Sequence, residues 1–258
     1  MNELTSPVAM PAEQALAMLH CGEITVEGRV TRASNATMYC RIEADGLAAA
    51  CVYKPISGER PLWDYPDGTL AEREYACYLL GAATGWQLVP PTVLRAGPLG
   101  TGMVQLWIDE DESFDIVGAI NNGGHHQLQR MALLDAVINN SDRKVSHLLP
   151  VTGRRLTACG LAEPELHIYG VDHGVSLGVE NKLRTVLWQW AGDPIPDEGL
   201  QMLGGLRSGL TGQLGEELAE LLTSAEISAI QRRVQRLLAK RKFPMPPTDW
   251  PAIPYPPY

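Results

Sequence analysis

Two stretches of the sequence each place one aspartate in a short polar turn behind an apolar run. Residues 139–144 (NNSDRK) follow the run AVI and contain Asp142 and Lys144, and residues 170–174 (GVDHG) contain Asp172. The apolar lead-in is predicted to be buried, which would hold the carboxylate behind it in a fixed place. A fixed carboxylate can accept a proton from a hydroxyl group or act as a hard oxygen ligand for a divalent cation.

A lysine and a glutamate upstream could supply the opposite charge and its partner. Lys54 closes an apolar stretch that is predicted to be a strand. An edge lysine that points to solvent is the simpler interpretation, and an ammonium held in a cleft against a phosphate is the alternative. Glu74 lies on a predicted helix, residues 70–83, next to the face predicted to be apolar. That face consists of Tyr75, Tyr78, Leu79 and Ala82.

Taken together, these residues suit metal-assisted phosphoryl transfer from ATP, which requires positioning and charge neutralisation more than covalent chemistry. Lys54 would contact the α- and β-phosphates, and Glu74 would fix the Lys54 side chain. Asp142 would accept the proton of the incoming hydroxyl or orient it, and Lys144 would meet the γ-phosphate. Asp172 would bind Mg²⁺ or Mn²⁺, because divalent cations of this kind prefer carboxylate oxygens.

Composition and charge limit the classes of protein to which the chain can belong. The chain has 258 residues, of which 45% are hydrophobic and 20% charged, as in folded proteins. A net charge of -9 argues against binding to nucleic acid. The five cysteines include no C-x-x-C pair, which favours reduced thiols. Because the chain shows neither a signal peptide nor an apolar stretch of about 18 residues, we expect a cytoplasmic protein.

The order of the predicted elements places a β-rich half before a helical half. Thr69 and Glu72 have the spacing of a capping box at the start of helix 70–83, and Gly174 is expected to let the backbone turn beneath Asp172. In the first half, periodicity predicts a helix at 11–21, strands at 24–30, 37–42, 48–54, 88–94 and 101–108, and the helix at 70–83. In the second half it predicts helices at 126–139, 186–190, 196–204, 212–222 and 224–241, with a hairpin formed by 148–151 and 166–171.

The chain is expected to divide into two lobes and a tail. The acidic run at 109–112 breaks the last strand of the first half and marks a boundary. The predicted domains are an N-lobe at 1–108, a helical C-lobe at 109–243 and a proline-rich extended tail at 244–258 that packs against the body.

The sequence resembles a family of uncharacterised actinobacterial proteins described as related to phosphatidylinositol 3-/4-kinases. The resemblance covers nearly the whole chain, and it implies a two-lobed α+β fold of the protein-kinase-like type with an antiparallel sheet and one key helix in the N-lobe. It rests on residues 52–63 (VYKPISGERPLW), 72–76 (EREYA), 89–92 (VPPT), 139–144, 170–174 and 182–188 (KLRTVLW).

The resemblance also implies how a nucleotide would bind. It supports the roles given above for Lys54, Glu74, Asp142 and Asp172. It places the phosphates under a short turn at Ser34 and Asn35. The adenine would lie against the segment between the lobes, which consists of Gln105, Leu106, Trp107 and Ile108.

Two positions depart from the pattern of kinases. The turn at residues 33–37 contains no glycine, whereas protein kinases have a G-x-G-x-x-G loop there. His147 stands five residues after Asp142, where kinases usually have an asparagine that holds a second metal ion. Imidazole suits Mn²⁺ or Zn²⁺ better than Mg²⁺, so either metal use is altered or activity is weak or lost.

Two rival functions stay open. A pseudokinase would bind nucleotide, act through a partner and explain His147. A metal-dependent hydrolase would use Asp142 and Asp172 with the histidines, although these lack the H-x-H or H-x-x-x-H spacing of metal sites. The histidines in question are His125, His126, His147, His167 and His173.

The acceptor hydroxyl is left open among a lipid head group, a protein side chain and a small polyol. Residues 232–242 (RRVQRLLAKRK) are rich in basic residues and make the end of the predicted helix at 224–241 basic and amphipathic. A helix whose charges are merely solvated is the simpler interpretation, and weak contact with anionic lipid at a membrane surface is the alternative.

Overall fold

A five-stranded antiparallel sheet with two helices forms the first half of the chain. The computed structural model describes residues 10–30, 35–157 and 160–258, excluding the side chains of 153–165. The strand order is β1-β2-β3-β5-β4. The elements are α1 (Ala12–Cys21), β1 (Glu23–Arg29), β2 (Met38–Ala44), β3 (Leu47–Pro55), α2 (Leu70–Ala83), β4 (Thr92–Gly97) and β5 (Gly100–Leu106).

Local sequence explains the centre of this sheet. Asp45 and Gly46 join β2 to β3 with φ values of 50° and 77°, which is the left-handed backbone that a two-residue hairpin requires. Alternate residues of β2 and β3 face a small core under α1, where Cys40 and Cys51 are directly opposite each other as free thiols. This core fixes the register of β3 and therefore the position of its last residues.

Helix α2 has the predicted bounds, but its buried face differs from the prediction. Ala76, Cys77 and Leu80 are fully buried, whereas Tyr75 and Tyr78 are half-buried. These three side chains pack in the hydrophobic core of the helical half, where small side chains allow a close approach. Hydrophobicity alone had favoured the tyrosine side, and that prediction was wrong.

The predicted capping box of α2 is also wrong. The Thr69 side chain makes no cap hydrogen bond and instead donates to the carbonyl of Pro66. The Glu59 carboxylate accepts from the backbone N–H groups of Leu70 and Ala71, at 3.0 and 2.8 Å. An anionic carboxylate that bonds two free N–H groups satisfies a helix N-terminus better than one neutral hydroxyl does.

The second half is mostly helical and contains the larger core. Helix α4 lies at the centre of this half, with ten of its thirteen residues buried. The elements are α3 (Ile116–Asn122), α4 (His126–Ile138), β6 (Leu148–Thr157), β7 (Gly160–Gly170), α5 (Asp197–Gly209), α6 (Gln213–Ala219) and α7 (Ser224–Lys240). Thr223 and Glu226 form a capping box at the start of α7.

The helix predicted at residues 186–190 is not formed. This stretch has an irregular backbone that ends in a turn. The backbone N–H of Thr185 and the indole N–H of Trp188 both donate to the carbonyl of Ala252, at 3.0 and 2.8 Å. Contact with a segment more than sixty residues away therefore overrides the local helical pattern.

The predicted α+β class, with an N-terminal antiparallel sheet, one central helix and a mostly helical remainder, is confirmed. Among the helices that the structure describes, none has the length and apolar character needed to cross a membrane.

Candidate active site

Lys54 bridges two carboxylates from different parts of the chain. It is the second-to-last residue of β3 and lies opposite Met103 of β5. Its Nζ donates to Glu74 Oε1 at 2.6 Å and to Asp172 Oδ1 at 2.7 Å. The Lys54 side chain is only 18% exposed, so the interpretation of an edge lysine pointing to solvent does not hold.

Glu74 joins helix α2 to the segment that follows β7. Its Oε1 accepts from Lys54, and its Oε2 accepts from the backbone N–H of His173 at 2.9 Å. The Glu74 side chain is 2% exposed. Because both carboxylate oxygens are committed to protein groups, Glu74 is suited to position its neighbours rather than to react.

The electrostatics of Lys54 and Asp172 favour the charged forms of these two groups. Burial alone would lower the pKa of Lys54, but the carboxylates of Asp172 and Glu74 outweigh it and raise that pKa above its ordinary value. The Lys54 ammonium in turn holds the pKa of Asp172 well below its usual range. Both groups are therefore ionised at neutral pH.

Asp172 is presented by an unusual backbone conformation. Its φ is 60°, in the left-handed region that aspartate tolerates better than most residues. The predicted role of Gly174 in this turn is thus performed by Asp172 itself. The Asp172 side chain is 52% exposed, so this carboxylate can reach a ligand from solvent.

Asp142 and Lys144 lie in the polar turn that follows α4. The backbone N–H of Asp142 donates to the side-chain oxygen of Asn140 at 2.9 Å, which fixes the turn. The Asp142 carboxylate lies 3.0 Å from Lys144 Nζ and 3.8 Å from a terminal nitrogen of Arg184. Asp142 is therefore held between two cations, with its side chain partly exposed.

Arg143, the residue between them, points the opposite way into the protein. Its fully buried guanidinium bonds both carboxylate oxygens of Asp135 in α4. It also donates to the carbonyl of Val171 at 2.9 Å and lies 2.7 Å from Nε2 of His173. One side chain thus connects the turn of Asp142 to the segment of Asp172.

His147 contacts Asp172 from the far side. Its Nε2 lies 3.4 Å from Asp172 Oδ2, and its buried Nδ1 has no hydrogen-bond partner among the described residues. Burial lowers the pKa of His147, with Asp172 opposing that effect, so the ring is neutral at pH 7. A neutral ring is the form that can bind a metal ion.

The donor set fits a cation that takes most of its ligands from elsewhere. Within the described residues, no three or more histidine, cysteine, aspartate or glutamate side chains are grouped so that they could hold a metal ion. The five histidines therefore do not surround a common metal site. Asp172 offers a half-exposed carboxylate and His147 one imidazole. Mg²⁺ commonly binds through one or two carboxylates together with water and phosphate oxygens, which these two residues could accommodate.

A cavity of about 450 Å³ connects most of the predicted residues. It is lined by Lys54, Glu74, Asp142, Lys144 and Asp172. Asn35 also lines it, while its side-chain oxygen accepts from the backbone N–H of Arg60 at 3.0 Å. Ser34 lies outside the described residues.

Aromatic residues that were not predicted to belong to the site border the same cavity. Trp63, Trp250 and Tyr255 are among its lining residues. Lys182 Nζ lies over the rings of Trp63 and Trp250, at 4.3 and 5.0 Å from their centroids. The loop before α2 and the proline-rich tail therefore meet at the rim of the cavity.

The segment 105–108 does not line this cavity. The buried side chain of Gln105 donates to Thr92 Oγ1 at 2.8 Å. The backbone N–H groups of Leu106 and Trp107 are bonded to Pro91 and Ala50. Ile108 follows β5, and its backbone N–H makes no hydrogen bond to another backbone group of the described residues.

Comparisons with known proteins give similar chains, but no activity of this chain follows from them. No family model matches the chain. The Helicobacter pylori proinflammatory kinase CtkA aligns with a TM-score of 0.48 and 12% identity over 85% of this chain and 93% of that chain. The Rio2 kinase–ADP/Mg²⁺–phosphoaspartate complex from Chaetomium thermophilum aligns with a TM-score of 0.35 and 10% identity, over 83% of this chain and 70% of that one. Both TM-scores are below 0.5, so the fold described above rests on the contacts within this chain alone.

The sequence comparison identifies the family. Protein Rv2133c of Mycobacterium tuberculosis is 43% identical over 275 residues, which cover 92% of this chain and 95% of the relative. The chain therefore belongs to the same family as this mycobacterial protein.

Sequence reasoning missed the buried residues that support the site. Asp135 lies in the apolar run MALLDAVI, and a lone acid in a buried helix is a signal for a buried partner. Arg143 stands between two candidate site residues, and nothing local indicates that it points inward. Asp135 was thus detectable, whereas its partner was not.

Proposed function

We propose that this protein is an ATP-dependent phosphotransferase, related to the phosphatidylinositol 3-/4-kinases, that transfers the γ-phosphate to a hydroxyl acceptor. The observation that carries the proposal is the pair of hydrogen bonds from Lys54 to Glu74 and Asp172. It lies in a cavity that Asp142 and Lys144 also line. Phosphoryl transfer needs this combination of a positioned cation, a carboxylate for a divalent ion and a carboxylate near the hydroxyl.

Each residue of the cavity has a distinct role in the proposal. Lys54, fixed by Glu74, neutralises the α- and β-phosphates. Asp142 orients the acceptor hydroxyl and accepts its proton, because its carboxylate is partly exposed and lies between two cations, while Asn140 fixes its backbone. Lys144, 3.0 Å from Asp142, balances the charge that develops on the γ-phosphate.

Asp172 and His147 are the residues that would hold Mg²⁺ or Mn²⁺. When bound, a divalent ion neutralises charge on the phosphate oxygens. Asp172 supports this role because it is ionised and half-exposed. Its Oδ1 already accepts from Lys54, which orients the other oxygen toward a ligand or toward His147.

The proposal also assigns the lobes of the chain and the position of the nucleotide. We assign residues 1–108 and 109–243 to two lobes and 244–258 to a tail packed against the body. The phosphates lie near Asn35 and Ser34, and the adenine lies at residues 105–108. The Gln105 side chain and the backbone N–H groups of Leu106 and Trp107 are already hydrogen-bonded within the protein. The backbone N–H of Ile108 makes no backbone bond among the described residues, and we therefore assign the adenine contact to it.

A nucleotide-binding pseudokinase is the second candidate, and one observation favours it. His147 Nε2 lies 3.4 Å from Asp172 Oδ2, so an N–H at Nε2 would occupy the carboxylate oxygen that a cation needs. The protein would then bind nucleotide with little turnover and act through a partner.

Thermal unfolding with ATP and either Mg²⁺ or Mn²⁺, followed by an ATP-turnover assay, tests both candidates. An active phosphotransferase raises Tm with ATP and shows turnover. Asp142→Asn should keep the Tm shift and lose turnover by about 10²-fold or more. Asp67→Asn is the matched control, because Asp67 is exposed and does not line the cavity.

The outcomes separate the candidates. A Tm shift without turnover in the unaltered protein supports the pseudokinase. Turnover that persists in Asp142→Asn removes Asp142 from its role. Absence of any Tm shift with nucleotide contradicts both.

A further inference from the structure

A second cavity lies in the helical half and shares no lining residue with the cavity of Lys54. Its volume is about 600 Å³, within the range of about 300–1,000 Å³ that is usual for small-molecule sites. It is formed by α7, by residues of the irregular segment between β7 and α5, such as Asn181 and Trp188, and by the start of the tail.

The charge of this second cavity has one sign. Its cationic lining residues are Arg233, Arg236, Lys240 and Lys242, and no aspartate or glutamate lines it. Positions 233, 236 and 240 fall on one face of α7 because they are separated by three and four residues. No acidic side chain within 4.0 Å pairs with these four cations among the described residues. This concentration of positive charge stands out in a chain with a net charge of -9.

Arg233 provides a separate indication of a ligand. The residue is 3% exposed, and its Nε and Nη1 donate to the carbonyls of Val137 and Gly178 at 2.9 and 3.0 Å. Its buried Nη2 has no hydrogen-bond partner among the described residues. Burial, together with the charges of Arg236 and Arg232, lowers the pKa of Arg233 to about 10. A buried cation without a counter-charge is costly, and an anion in the cavity would remove that cost.

We propose that this cavity is a binding site for a phosphate-bearing ligand. Arg236 and Lys240 would contact phosphate oxygens directly, and Arg233 would supply the buried positive charge behind them. Trp188, Phe243 and Met245 line the remaining wall, so the carbon part of the ligand packs against apolar side chains. The site is independent of the phosphotransferase function proposed above, because its residues take no part in the first cavity.

Two probes distinguish the sources of such a ligand. Isothermal titration with pyrophosphate, in EDTA so that no divalent ion bridges it to Asp172, reports on a soluble phosphate compound. Co-sedimentation with phosphatidylcholine vesicles, with and without phosphatidylinositol 4-phosphate, reports on a lipid head group.

The variants separate this cavity from general electrostatic attraction. Arg236→Gln/Lys240→Gln removes two charges from the lining, and both positions are exposed, so folding is preserved. Arg29→Gln/Arg207→Gln removes the same charge from exposed positions outside the lining and outside α7. Loss of charged hydrogen bonds should raise the Kd of the bound probe by about tenfold or more in the first variant, and the control should leave it unchanged.

Each result decides the proposal. Pyrophosphate binding that only the lining variant weakens supports a soluble phosphate ligand. Binding to the phosphoinositide vesicles that only the lining variant weakens supports a lipid head group. Binding that both variants weaken equally, or no binding of either probe, overturns the proposed site.

Discussion

Two clusters of charge lie on either side of the turn at residues 139–144, and they differ in what satisfies them. In the buried cluster, Arg143 and Asp135 are both fully inaccessible, and Asn140 and Thr185 donate to the same carboxylate. In the cleft cluster, Lys54 and Asp172 are similarly close, but half of the Asp172 side chain faces solvent.

The difference separates charges that support the fold from charges that are available for binding. Buried ion pairs must be satisfied by the protein itself, because no water can compensate for a lost partner. An ion pair with one exposed carboxylate can exchange protein contacts for a ligand. Since Arg143 also bonds the carbonyl of Val171, the closed cluster fixes the position of the open one.

The largest effect should come from opening the buried cluster. Arg143→Met leaves the Asp135 carboxylate buried without its cation, and the free energy of unfolding should fall by about 3–5 kcal/mol. Urea denaturation measures this change. Lys144→Met, one position away and partly exposed, should cost no more than about 1 kcal/mol. Similar stability of the two variants would contradict the distinction between the clusters.

A change in the open cluster should affect activity more than stability. Asp172→Asn keeps a residue that tolerates a φ of 60°, but it removes the ionised carboxylate. ATP turnover should fall by about 10²-fold or more, while Tm without nucleotide shifts by only a few degrees, because the side chain is half-exposed. A loss of stability as large as that of Arg143→Met would show that Asp172 is structural.

The pH dependence of a second buried pair extends the comparison. Arg73 of α2 bonds Glu226 at the start of α7, and both side chains are buried. Burial alone would raise the pKa of Glu226, but hydrogen bonds from Arg73 and Thr223 outweigh it and hold that pKa below its ordinary value. The folded protein therefore binds fewer protons than the unfolded chain, and the stabilisation is present above about pH 4.5 and is lost as pH falls further.

Glu226→Gln should consequently lower the free energy of unfolding at pH 7 by about 1–3 kcal/mol, and the difference from the unaltered protein should shrink below pH 4.5. Urea denaturation between pH 3.5 and 7 measures it. Glu198→Gln is the control, because Glu198 pairs with Arg130 at the surface and should change stability by less than about 1 kcal/mol. A difference for Glu226→Gln that does not vary with pH would contradict the assigned pair.

Local patterns predicted most of the helices and strands, but not the contacts between distant segments. The bounds of α2 and the positions of Lys54 and Glu74 follow from periodicity. The cap of α2 could not be predicted, since Glu59 acts from eleven residues upstream of Leu70. The irregular backbone before α5 likewise depends on the carbonyl of Ala252.

The candidate site shows the same division. Aspartates placed behind apolar runs were recognisable, because burial of the lead-in is a local property. The inward direction of Arg143 was not, since it depends on Asp135 eight residues earlier and on His173 thirty residues later. The meeting of Trp63 with Trp250 around Lys182 required the path of the whole chain.

The two bonds of Lys54 also set an order in time. Its partner Glu74 is 20 residues away along the chain, and its partner Asp172 is 118 residues away. Closing the longer loop costs roughly 1.6 kcal/mol more in chain entropy. We therefore expect the lysine and the glutamate to meet early in folding, and the aspartate to arrive only when the segment after β7 docks. The candidate site would then be complete, and activity would appear, only after this last step of folding.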